Sequence, residues 1–500
     1  MSKCFYTAKV LLLGLITAQV IATIQVHLSN AELYHTLVSI RNAGYLVIPN
    51  QRVMQSLLEL SPAFYGGLFF TLSTGAGLSL LTIAAAWIWD HLFFRKKILL
   101  LLFLIPWTGL IVGMNLKGFC PIVTSYFVFI PIIVFAAALR WMPARSGKRV
   151  WLNRIVHIIP IIALAFLWMS QMHSNLFLNI RDNLLLSNSF GTKINDFYYK
   201  YTLYPAEVFK SLDQKTLKTC SLEHINKKTV AGLLEKELLN HDFLDVKGNA
   251  VVDLTIVEQD NILGFENKGK MILKTSLNEF LSGPGNILRE FSQRTDKHGF
   301  FRHFTFFSLL TGFPVVLYVA LHTIFCVILC VFLDSRLSSV ISVILCLITA
   351  IALLLFFHIG AGGKIEEKNL SEALESAHWQ DRVAALKIIQ RKRMDIGSFE
   401  TYKDILTSPH IPVRYWLARV LGASRQPDNY KDLLVFLDDT CPNVVCMAFR
   451  SLGQRGENQR AKNRIIREIV KRIETSDHWY EQWYAYKALR TLGWKQARSK

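Results

Sequence analysis

Long, almost uncharged hydrophobic stretches restrict the fold of this chain more than any other feature of its sequence. Seven of them are long enough to cross a hydrocarbon layer of about 30 Å as α-helices. A helix suits such a stretch because it satisfies its own backbone hydrogen bonds where no water is present. The seven stretches are residues 8–27, 64–89, 98–116, 120–139, 155–172, 305–332 and 337–357. The sequence therefore predicts a polytopic α-helical membrane protein.

Composition agrees with this class. Hydrophobic residues make up 52% of the 500 residues and charged residues 19%, a balance typical of membrane proteins. The formal net charge is +19. The basic residues are divided between short loops and helix surfaces, whereas a nucleic-acid-binding protein gathers them on one soluble face. We therefore expect the lipid bilayer as a partner and no nucleic acid.

Basic residues in the short loops predict the orientation, because Lys and Arg are retained on the cytoplasmic side. One set of alternate loops carries Lys3, Lys9, Arg95, Lys96, Lys97, Arg140, Arg145, Lys148, Arg149, Arg154 and Arg336. The other set carries only Arg41, Arg52 and Lys117. The amino terminus is thus expected in the cytoplasm, at the plasma (bacterial inner) membrane, and seven spans place the carboxyl terminus outside. The alternative to the first span is a cleaved signal peptide, although no small-x-small cleavage site follows it.

The chain divides into four predicted regions. The long interruption of the hydrophobic pattern in its middle is enough for one small domain. The first half of that interruption has helical patterns, and the second half has strand alternation in "NAVVDLTIVEQD" and "KGKMILKTSL". The regions are five spans over 1–172, an extracytoplasmic α+β domain over 173–304, two spans over 305–357 and a helical-repeat domain over 358–500.

Five aromatic residues lie close together in the first half of the central domain: Phe197, Tyr198, Tyr199, Tyr201 and Tyr204. One interpretation is a binding platform, because aromatic rings are frequent anchors of protein interfaces. The other is that the rings pack the domain or lie at the level of the lipid headgroups near the fifth span. The sequence leaves both interpretations open.

A repeated helical pattern follows Gly363 and continues to the end of the sequence. Four segments align: "DRVAALKIIQ" (381–390), "VRYWLARVLG" (413–422), "VVCMAFRSLG" (444–453) and "YAYKALRTLG" (484–493). Corresponding positions are 32, 31 and 40 residues apart, at Ala385, Leu417, Ala448 and Ala488. Such a period is typical of stacked two-helix units, none of which buries its apolar face alone. The partner helices are expected at 399–406, 430–437 and 464–473.

These segments resemble the short bacterial form of the HEAT repeat family. In that family the second helix follows an acidic loop, opens with Val-Arg and closes near Ala-Leu-Gly. Here "SPHIPVRYWLARVLG" carries the Val413-Arg414 pair, and "DDTCPNVVCMAFRSLG" carries the acidic loop with Ala448, Leu452 and Gly453. The resemblance covers the carboxyl-terminal quarter. It implies an α-solenoid that binds a protein partner along one surface, and it implies no catalytic residues.

Several large rings lie on the predicted repeat helices and are candidates for partner binding: Tyr415, Trp416, Trp479, Trp483 and Trp494. Rings of this size on a helix surface indicate that something covers them. A separate protein partner, the domain at 171–304 and the membrane surface are the three alternatives.

The sequence predicts no catalytic, cofactor-binding or metal site, since it contains no zinc spacing, nucleophile elbow or paired His-Glu helix. His157 and His322 lie in predicted spans, where a hydrogen bond to a neighbour and ligation of a metal or haem both stay open. Cys120 and Cys220 both fall on the predicted oxidising side. A disulfide between them is therefore a hypothesis.

Together these features favour an integral membrane scaffold or assembly protein of a cell-envelope complex, which docks a protein partner through its repeats. Two alternatives belong to other classes. One is a transporter or channel component whose spans line a path. The other is an envelope enzyme acting on a lipid-linked or polymeric substrate, for which Arg181, Asp182 and Asp196 are candidate residues. Enzyme activity is the less favoured interpretation.

Overall fold

Helices form most of the chain. The computed structural model describes residues 5–142, 161–166, 174–248, 251–259, 262–359, 365–424, 426–455 and 459–498. Within these residues a group of apolar helices comes first, a small β-sheet domain follows, and short helices in pairs come last. This order confirms the predicted fold class at the level of a mainly helical chain with apolar helices.

Residues 5–142, the first part that the structure describes, contain six α-helices. They are α1 (Tyr6–Asn42), α2 (Gln51–Ser56), α3 (Leu60–Phe70), α4 (Ala76–His91), α5 (Leu101–Asn115) and α6 (Pro121–Trp141). A π-helical turn, Thr71–Gly75, joins α3 to α4 without a break. Helix α1 continues well beyond residue 27, where the predicted first span ends, so that its polar last turns project past the apolar bundle.

The central part begins with three short helices and continues into a five-stranded sheet. The three helices before the sheet are α7 (Ser174–Ile180), α8 (Ser189–Tyr201) and α9 (Leu203–Phe209). Helix α10 (Lys228–Asn240) lies between the first two strands, and α11 (Leu277–Ser282) and α12 (Pro284–Thr295) follow the last strand. The strands are β1 (Lys218–His224), β2 (Phe243–Asp245), β3 (Leu254–Gln259), β4 (Ile262–Asn267) and β5 (Lys270–Ser276). A second π-helical turn, Arg181–Leu185, lies between α7 and α8.

The sheet has the order β2-β1-β3-β4-β5. Strand β1 is parallel to β2 and to β3, and α10 makes the crossover from β1 to β2. Strands β3, β4 and β5 form antiparallel hairpins. The β4–β5 turn has positive φ at Lys268 and Gly269, as a two-residue hairpin of the right-handed twist requires. Phe265, Phe280 and Phe291 pack together in the core beneath the sheet.

Two further long helices follow, α13 (Gly299–Leu329) and α14 (Ser335–Ile359). Five helical segments in the described residues are long and apolar enough to cross a membrane: Tyr6–Asn42, Leu60–His91, Lys97–Asn115, Pro121–Trp141 and Gly299–Leu329. Helix α14 contains a shorter apolar stretch, Leu337–Leu353. The predicted span at 155–172 lies largely outside the described residues, of which 161–166 are helical.

Small residues bring the apolar helices into close contact. A Cβ atom on Gly14 of α1 would lie 2.1 Å from Ser79 Oγ on α4. A Cβ atom on Gly77 of α4 would lie 2.4 Å from Ser308 Oγ on α13. Such approaches leave room for hydrogen atoms alone. Transmembrane helices commonly pack in this way, because small residues let two backbones approach each other.

The last part of the chain is a stack of short helices. They are α15 (Leu370–Glu375), α16 (Trp379–Lys392), α17 (Ile411–Leu421), α18 (Asn429–Val435), α19 (Pro442–Gln454), α20 (Gln459–Thr475) and α21 (Trp479–Thr491). Helices α16, α17, α19 and α21 coincide with the four aligned segments, and we call them the second helices. Helices α15, α18 and α20 are the first helices. Proline in the first turn starts both α17 and α19.

Of the glycines that close the aligned segments, Gly493 has φ +78° just after α21 and suits helix termination, whereas Gly422 and Gly453 serve packing. Gly422 has φ −61°, an ordinary helical value, and Gly453 lies inside α19. A Cβ atom on Gly422 would lie 2.7 Å from Ser451 Cβ, and one on Gly453 would lie 2.9 Å from Ala488 Cα. Each glycine thus lets the second helix of the next repeat approach closely.

The predicted partner helix at 399–406 is wrong. The structure has a 3₁₀ turn there, Glu400–Lys403, followed by further turns. The short stretch ends at Pro409, and the residue before a proline is disfavoured in the α conformation. The other two partner helices are present as α18 and α20.

Candidate functional site

The second helices pack against earlier parts of this same chain. Helix α19 is buried on almost every side, and α17 is nearly as enclosed. The second helices as a group contact the first helices. They also contact three segments from the first half of the chain: residues 45–59, 181–204 and 240–245. We call this intramolecular contact the clasp. It is the most extensive polar arrangement in the described residues, and it is the candidate functional site.

A buried carboxylate, Asp182, lies at the centre of the first contact of the clasp. Its side chain is 1% exposed. Arg181 pairs with it at 2.6 Å and Lys387 of α16 at 3.1 Å, while the Trp416 indole of α17 donates a hydrogen bond to it at 2.8 Å. Removing a carboxylate from water is costly unless charged and hydrogen-bonding partners compensate it. Here two cations and an indole N–H provide that compensation, and two of these three groups, Lys387 and Trp416, are supplied by the repeats.

Cations also cover the two neighbouring rings of α17. The Arg181 guanidinium lies 3.7 Å from the centre of the Tyr415 ring. Arg419 lies 4.9 Å from the Trp416 ring, and Lys387 lies 5.0 Å from it. Such cation–π contacts gain strength when they are withdrawn from water, as they are here.

Helix α8 makes the second contact of the clasp. Asn195 donates a hydrogen bond to the Asn443 side chain of α19 at 2.6 Å, and Asn443 donates one to Tyr199 at 3.0 Å. The Tyr199 ring packs on Tyr480 of α21, with ring centres 4.6 Å apart. These four residues form a buried polar and aromatic seam between α8 and the repeats.

The Tyr204 ring of α9 meets the Trp479 indole edge-on, with ring centres 5.1 Å apart. The Tyr204 hydroxyl lies 3.0 Å from the hydroxyl of Ser56, at the end of α2. Both rings are buried. The clasp thereby joins α21 to the segment that leads into the apolar helix α3.

Asn50 makes the third contact and satisfies two helix ends at once. Its side-chain oxygen accepts hydrogen bonds from the first turn of α2. Its amide nitrogen donates to the carbonyl groups of Ile473 (2.8 Å), Glu474 (3.1 Å) and Ser476 (2.8 Å) at the end of α20. Its backbone N–H also donates to Gln482 at 2.7 Å. Terminal carbonyl groups of a helix need such partners when they are buried.

The edge of the sheet domain makes the fourth contact. The Tyr486 hydroxyl donates a hydrogen bond to Asp242 at 2.5 Å, and Arg490 pairs with the same carboxylate at 3.2 Å. Arg490 also donates to the Asn240 carbonyl group at 2.6 Å. Asp242 has φ +61°, a conformation that aspartate tolerates better than most residues. The turn between α10 and β2 is therefore shaped to present this carboxylate to α21.

The segment after α21 fastens the same edge. The Gln496 amide exchanges two hydrogen bonds with the backbone of Leu46, at 2.9 and 3.2 Å. Arg498 donates to the Tyr45 hydroxyl at 2.8 Å and pairs with Asp245 at 2.9 Å. The loop at Tyr45, the sheet edge at Asp245 and the segment after α21 thus contact one another.

The predicted partner-binding rings divide into two groups. Tyr415, Trp416 and Trp479 are buried in the clasp. Trp483 and Trp494 are partly buried, and Lys487 lies 3.4 Å from the centre of the Trp483 ring. The burial fits one of the three alternatives, cover by the chain itself, and binding of a separate partner at these rings stays a prediction.

The two cysteines of the predicted disulfide lie in different surroundings and are free thiols in the structure. Cys120 precedes α6 at the apolar bundle, and Cys220 is buried in the core of the sheet domain. Their pairing stays a prediction.

Burial shifts two titratable groups of the clasp. It raises the pKa of the Glu481 carboxyl above its ordinary value, although a hydrogen bond from Ser476 and the charge of Arg472 act against this. Burial also lowers the pKa of the His478 imidazole. Glu481 lies in the first turn of α21, and His478 lies just before it.

The sequence-predicted titratable residues lie in different parts of the structure. No group of three or more His, Cys, Asp or Glu residues among the described residues is arranged to hold a metal ion. His322 lies 3.5 Å from the Ser339 hydroxyl, and His157 lies outside the described residues. Of the three candidate residues for an enzyme, Arg181 and Asp182 pair with each other in the clasp, and Asp196 is exposed on α8; a catalytic role for them stays a prediction.

A cavity of about 260 Å³ lies between the end of α1, the sheet domain and Trp479. Two ion pairs border it. Lys215 pairs with Asp253 at 2.7 Å within the sheet domain, and Lys268 lies 3.8 Å from Glu32. The second pair joins α1 to the sheet domain, and the arrangement fits a structural role.

Comparison with known families identifies the type of repeat at the end of the chain. The family of HEAT repeats matches residues 399–490, which confirms the resemblance over the carboxyl-terminal quarter. No curated protein matches the chain. No solved structure matches it either. HEAT repeats indicate a protein-interaction or scaffold role for this part of the molecule.

Proposed function

We propose that the chain is an integral membrane scaffold of the cell envelope, which presents its repeat domain to a protein partner outside the cytoplasm. The proposal keeps seven spans, a cytoplasmic amino terminus and the region boundaries at 172, 304 and 357. The apolar helices, the distribution of loop cations and the HEAT repeats support it.

The clasp is the observation that carries this proposal. It uses the second helices to fix the repeats to segments next to α3 and to the sheet domain. A repeat domain that is attached in this way is held in one orientation relative to the apolar helices. Of its first helices, α20 is bonded to the first half of the chain at its carboxyl-terminal end, through Asn50, and exposes polar residues along its length.

Helix α20 gives this outward face a strong positive charge. Four exposed basic residues follow one another at helical spacing: Arg460, Arg464, Arg467 and Lys471. They form a ridge about 16 Å long, at 1.5 Å for each residue. None of the four makes an ion pair within the described residues. We therefore expect a partner with an acidic surface at this cationic ridge, because complementary charge speeds encounter and fixes orientation.

A charge reversal tests the proposed partner surface. The full-length chain carrying R464E and R467E is purified from its own membranes in mild detergent, and co-purifying proteins are compared with those of the unmodified chain. We expect a protein that co-purifies with the unmodified chain to be absent from the double variant. The amount that co-purifies with the unmodified chain should decrease as the salt concentration is raised. The matched control is K228E with K236E, which makes the same charge change on exposed positions of α10. Loss in both variants, or in neither, contradicts the assignment of the ridge.

Topology is tested separately. A reporter enzyme that works only outside the cytoplasm is fused after Lys500, and protease is added to intact spheroplasts. We expect an active reporter and cleavage of the repeat domain. A reporter that is active only in the cytoplasm would overturn the predicted orientation.

A further inference from the structure

Helix α8 exposes a row of large apolar side chains that the clasp does not cover. Phe190, Ile194, Phe197 and Tyr198 are 73%, 46%, 40% and 54% exposed. Their spacing of four, three and one residues places them on one face of the helix, within an arc of about 100°. A soluble surface rarely keeps such a continuous apolar row in water.

A neighbouring, buried face fixes the orientation of the helix. Gly191 and Asn195 are buried, and Asn195 bonds to Asn443 of the repeats. A Cβ atom on Gly191 would lie 2.1 Å from the Leu184 carbonyl oxygen, so the preceding turn also holds α8 closely. Phe190, Ile194 and Phe197 therefore point away from the repeats, whereas Tyr198, at the edge of the row, also meets Tyr480 of α21, with ring centres 6.5 Å apart.

The row is continuous with a candidate membrane span. The Tyr65 ring of α3 packs on Phe197, with ring centres 5.6 Å apart, and on Tyr201, with ring centres 4.8 Å apart. Leu60 and Phe64, in the first two turns of the same span, are also exposed. Tyr65 is five residues from the start of α3, a rise of about 7.5 Å. Tyrosine at this depth is typical of the boundary between headgroups and hydrocarbon.

Basic residues border the row. Lys193 and Lys200 are exposed beside it, and the Lys200 ammonium lies 5.5 Å from the Tyr201 ring. Asp196 lies on the side away from the apolar residues. Lysines with this placement extend their charge toward lipid headgroups while their methylene groups stay on apolar surface.

From these observations we infer that α8 lies in the plane of the bilayer surface and inserts Phe190, Ile194, Phe197 and Tyr198 among the lipids. Thirteen residues are too few for the helix to cross the membrane, but they suit an in-plane amphipathic helix. The occupant of this face is lipid rather than a protein, because the row continues the apolar surface of a span. The inference rests on the proposed membrane location. It adds that the bilayer fixes the distance of the repeats from the membrane surface, because α8 is bonded to the repeats through Asn195 and Asn443.

A quenching experiment on the full-length chain tests the inference. A fluorescent amino acid is introduced at position 190, 194, 196 or 105, and each protein is placed in nanodiscs of phosphatidylethanolamine and phosphatidylglycerol. Lipids brominated on their acyl chains report contact with hydrocarbon, and aqueous iodide reports contact with water. We expect bromolipid quenching at 190 and 194 to exceed that at 196 several-fold, with the reverse order for iodide.

Position 105, exposed on α5, separates this inference from the proposed membrane location. Quenching by bromolipid at 105 but not at 190 would overturn the inference and leave the membrane location standing. Absence of bromolipid quenching at both positions would contradict the membrane location. Protection of position 190 from both quenchers would also overturn the inference, because it would indicate that protein covers the row.

Discussion

The apolar bundle and the clasp are held together by different means. In the bundle, α4 packs between α1 and α13 through small residues such as Gly14 and Gly77, whose missing side chains permit close contact. In the clasp, amide, carboxylate and guanidinium groups join surfaces that are far apart in sequence, with Asn50 and Asp182 at the centres. Two different surroundings would produce this difference. Lipid gives helices little hydrophobic reason to associate, so close fit matters most, whereas an aqueous domain interface gains definition from satisfied polar groups.

The largest effect is expected from Asp182→Asn. This change keeps the shape of the side chain but leaves Arg181 and Lys387 without their counter-charge in a buried site. We expect the clasp to lose about 3–5 kcal/mol of stability. Urea unfolding in detergent, followed by tryptophan fluorescence, measures the loss. The control is Asp196→Asn, an exposed carboxylate for which we expect less than about 0.5 kcal/mol. Equal stability of the two variants would show that the Asp182 cluster does not hold the clasp.

Asn50→Ala should have the next largest effect. The variant loses the cap of α2, worth about 1 kcal/mol, and leaves buried carbonyl groups of α20 unsatisfied, at about 1–3 kcal/mol. Asn188→Ala is a matched control, since Asn188 caps α8 with a hydrogen bond to the Gly191 N–H but makes no bond to the repeats. Limited proteolysis at the repeat domain should accelerate in the first variant only. Similar proteolysis of both would mean that the amide bridge to α20 is dispensable.

Gly77→Ala addresses the bundle side of the comparison. Its new Cβ would overlap Ser308, and overpacking of this kind costs about 1–3 kcal/mol. Gly109→Ala on α5 is the control, because a Cβ atom there would have no neighbour within 4 Å. The midpoint temperature of thermal unfolding in detergent should fall for the first variant and stay unchanged for the second. If Gly77→Ala were neutral, close contact of small residues would not explain how α4 and α13 associate.

The smallest effect concerns pH. Burial lowers the pKa of His478 in the folded protein, although Asp196 and Asp477 oppose this while Lys200 acts with it. The unfolded chain therefore binds the proton first, near the ordinary histidine value of about 6.5. Stability of the clasp should fall as the pH drops below about 6.5, down to the folded-state pKa. His478→Gln should flatten this part of the stability curve, measured by urea unfolding at a series of pH values. An unchanged slope would assign the acid sensitivity to other groups.

Periodic features of the sequence were sufficient to predict a mainly helical chain with apolar helices and carboxyl-terminal repeats. Hydrophobic length predicts the apolar helices, and the regular spacing of Leu417, Ala448 and Ala488 predicts the second helices, because both signals are local. The meaning of the Leu-Gly endings was not visible in the sequence. Gly453 is placed where the next second helix approaches, and this requirement exists only in three dimensions.

The clasp itself could not be predicted from the sequence. The large rings on the repeats indicated that something covers them, but no local pattern identifies the cover. Asp182 and Trp416 are 234 residues apart, and Asn50 and Ile473 are 423 residues apart. A single polar residue in a loop has many uses, and its partner is defined only when the whole chain is folded. For Asn50 the available signal was its position before α2, typical of a helix cap.

The bridge made by Asn50 also has a consequence for biosynthesis. At about 5–20 residues per second, a ribosome needs roughly 20–85 s to make the chain that separates Asn50 from the carbonyl groups it will bind. Until the repeats are made, the surface around Asn50, joined later by Asp182 and Tyr204 as they are synthesised, lacks its cover. Any chaperone that attends this protein therefore has a defined target and a defined moment of release, set by the emergence of the final repeat.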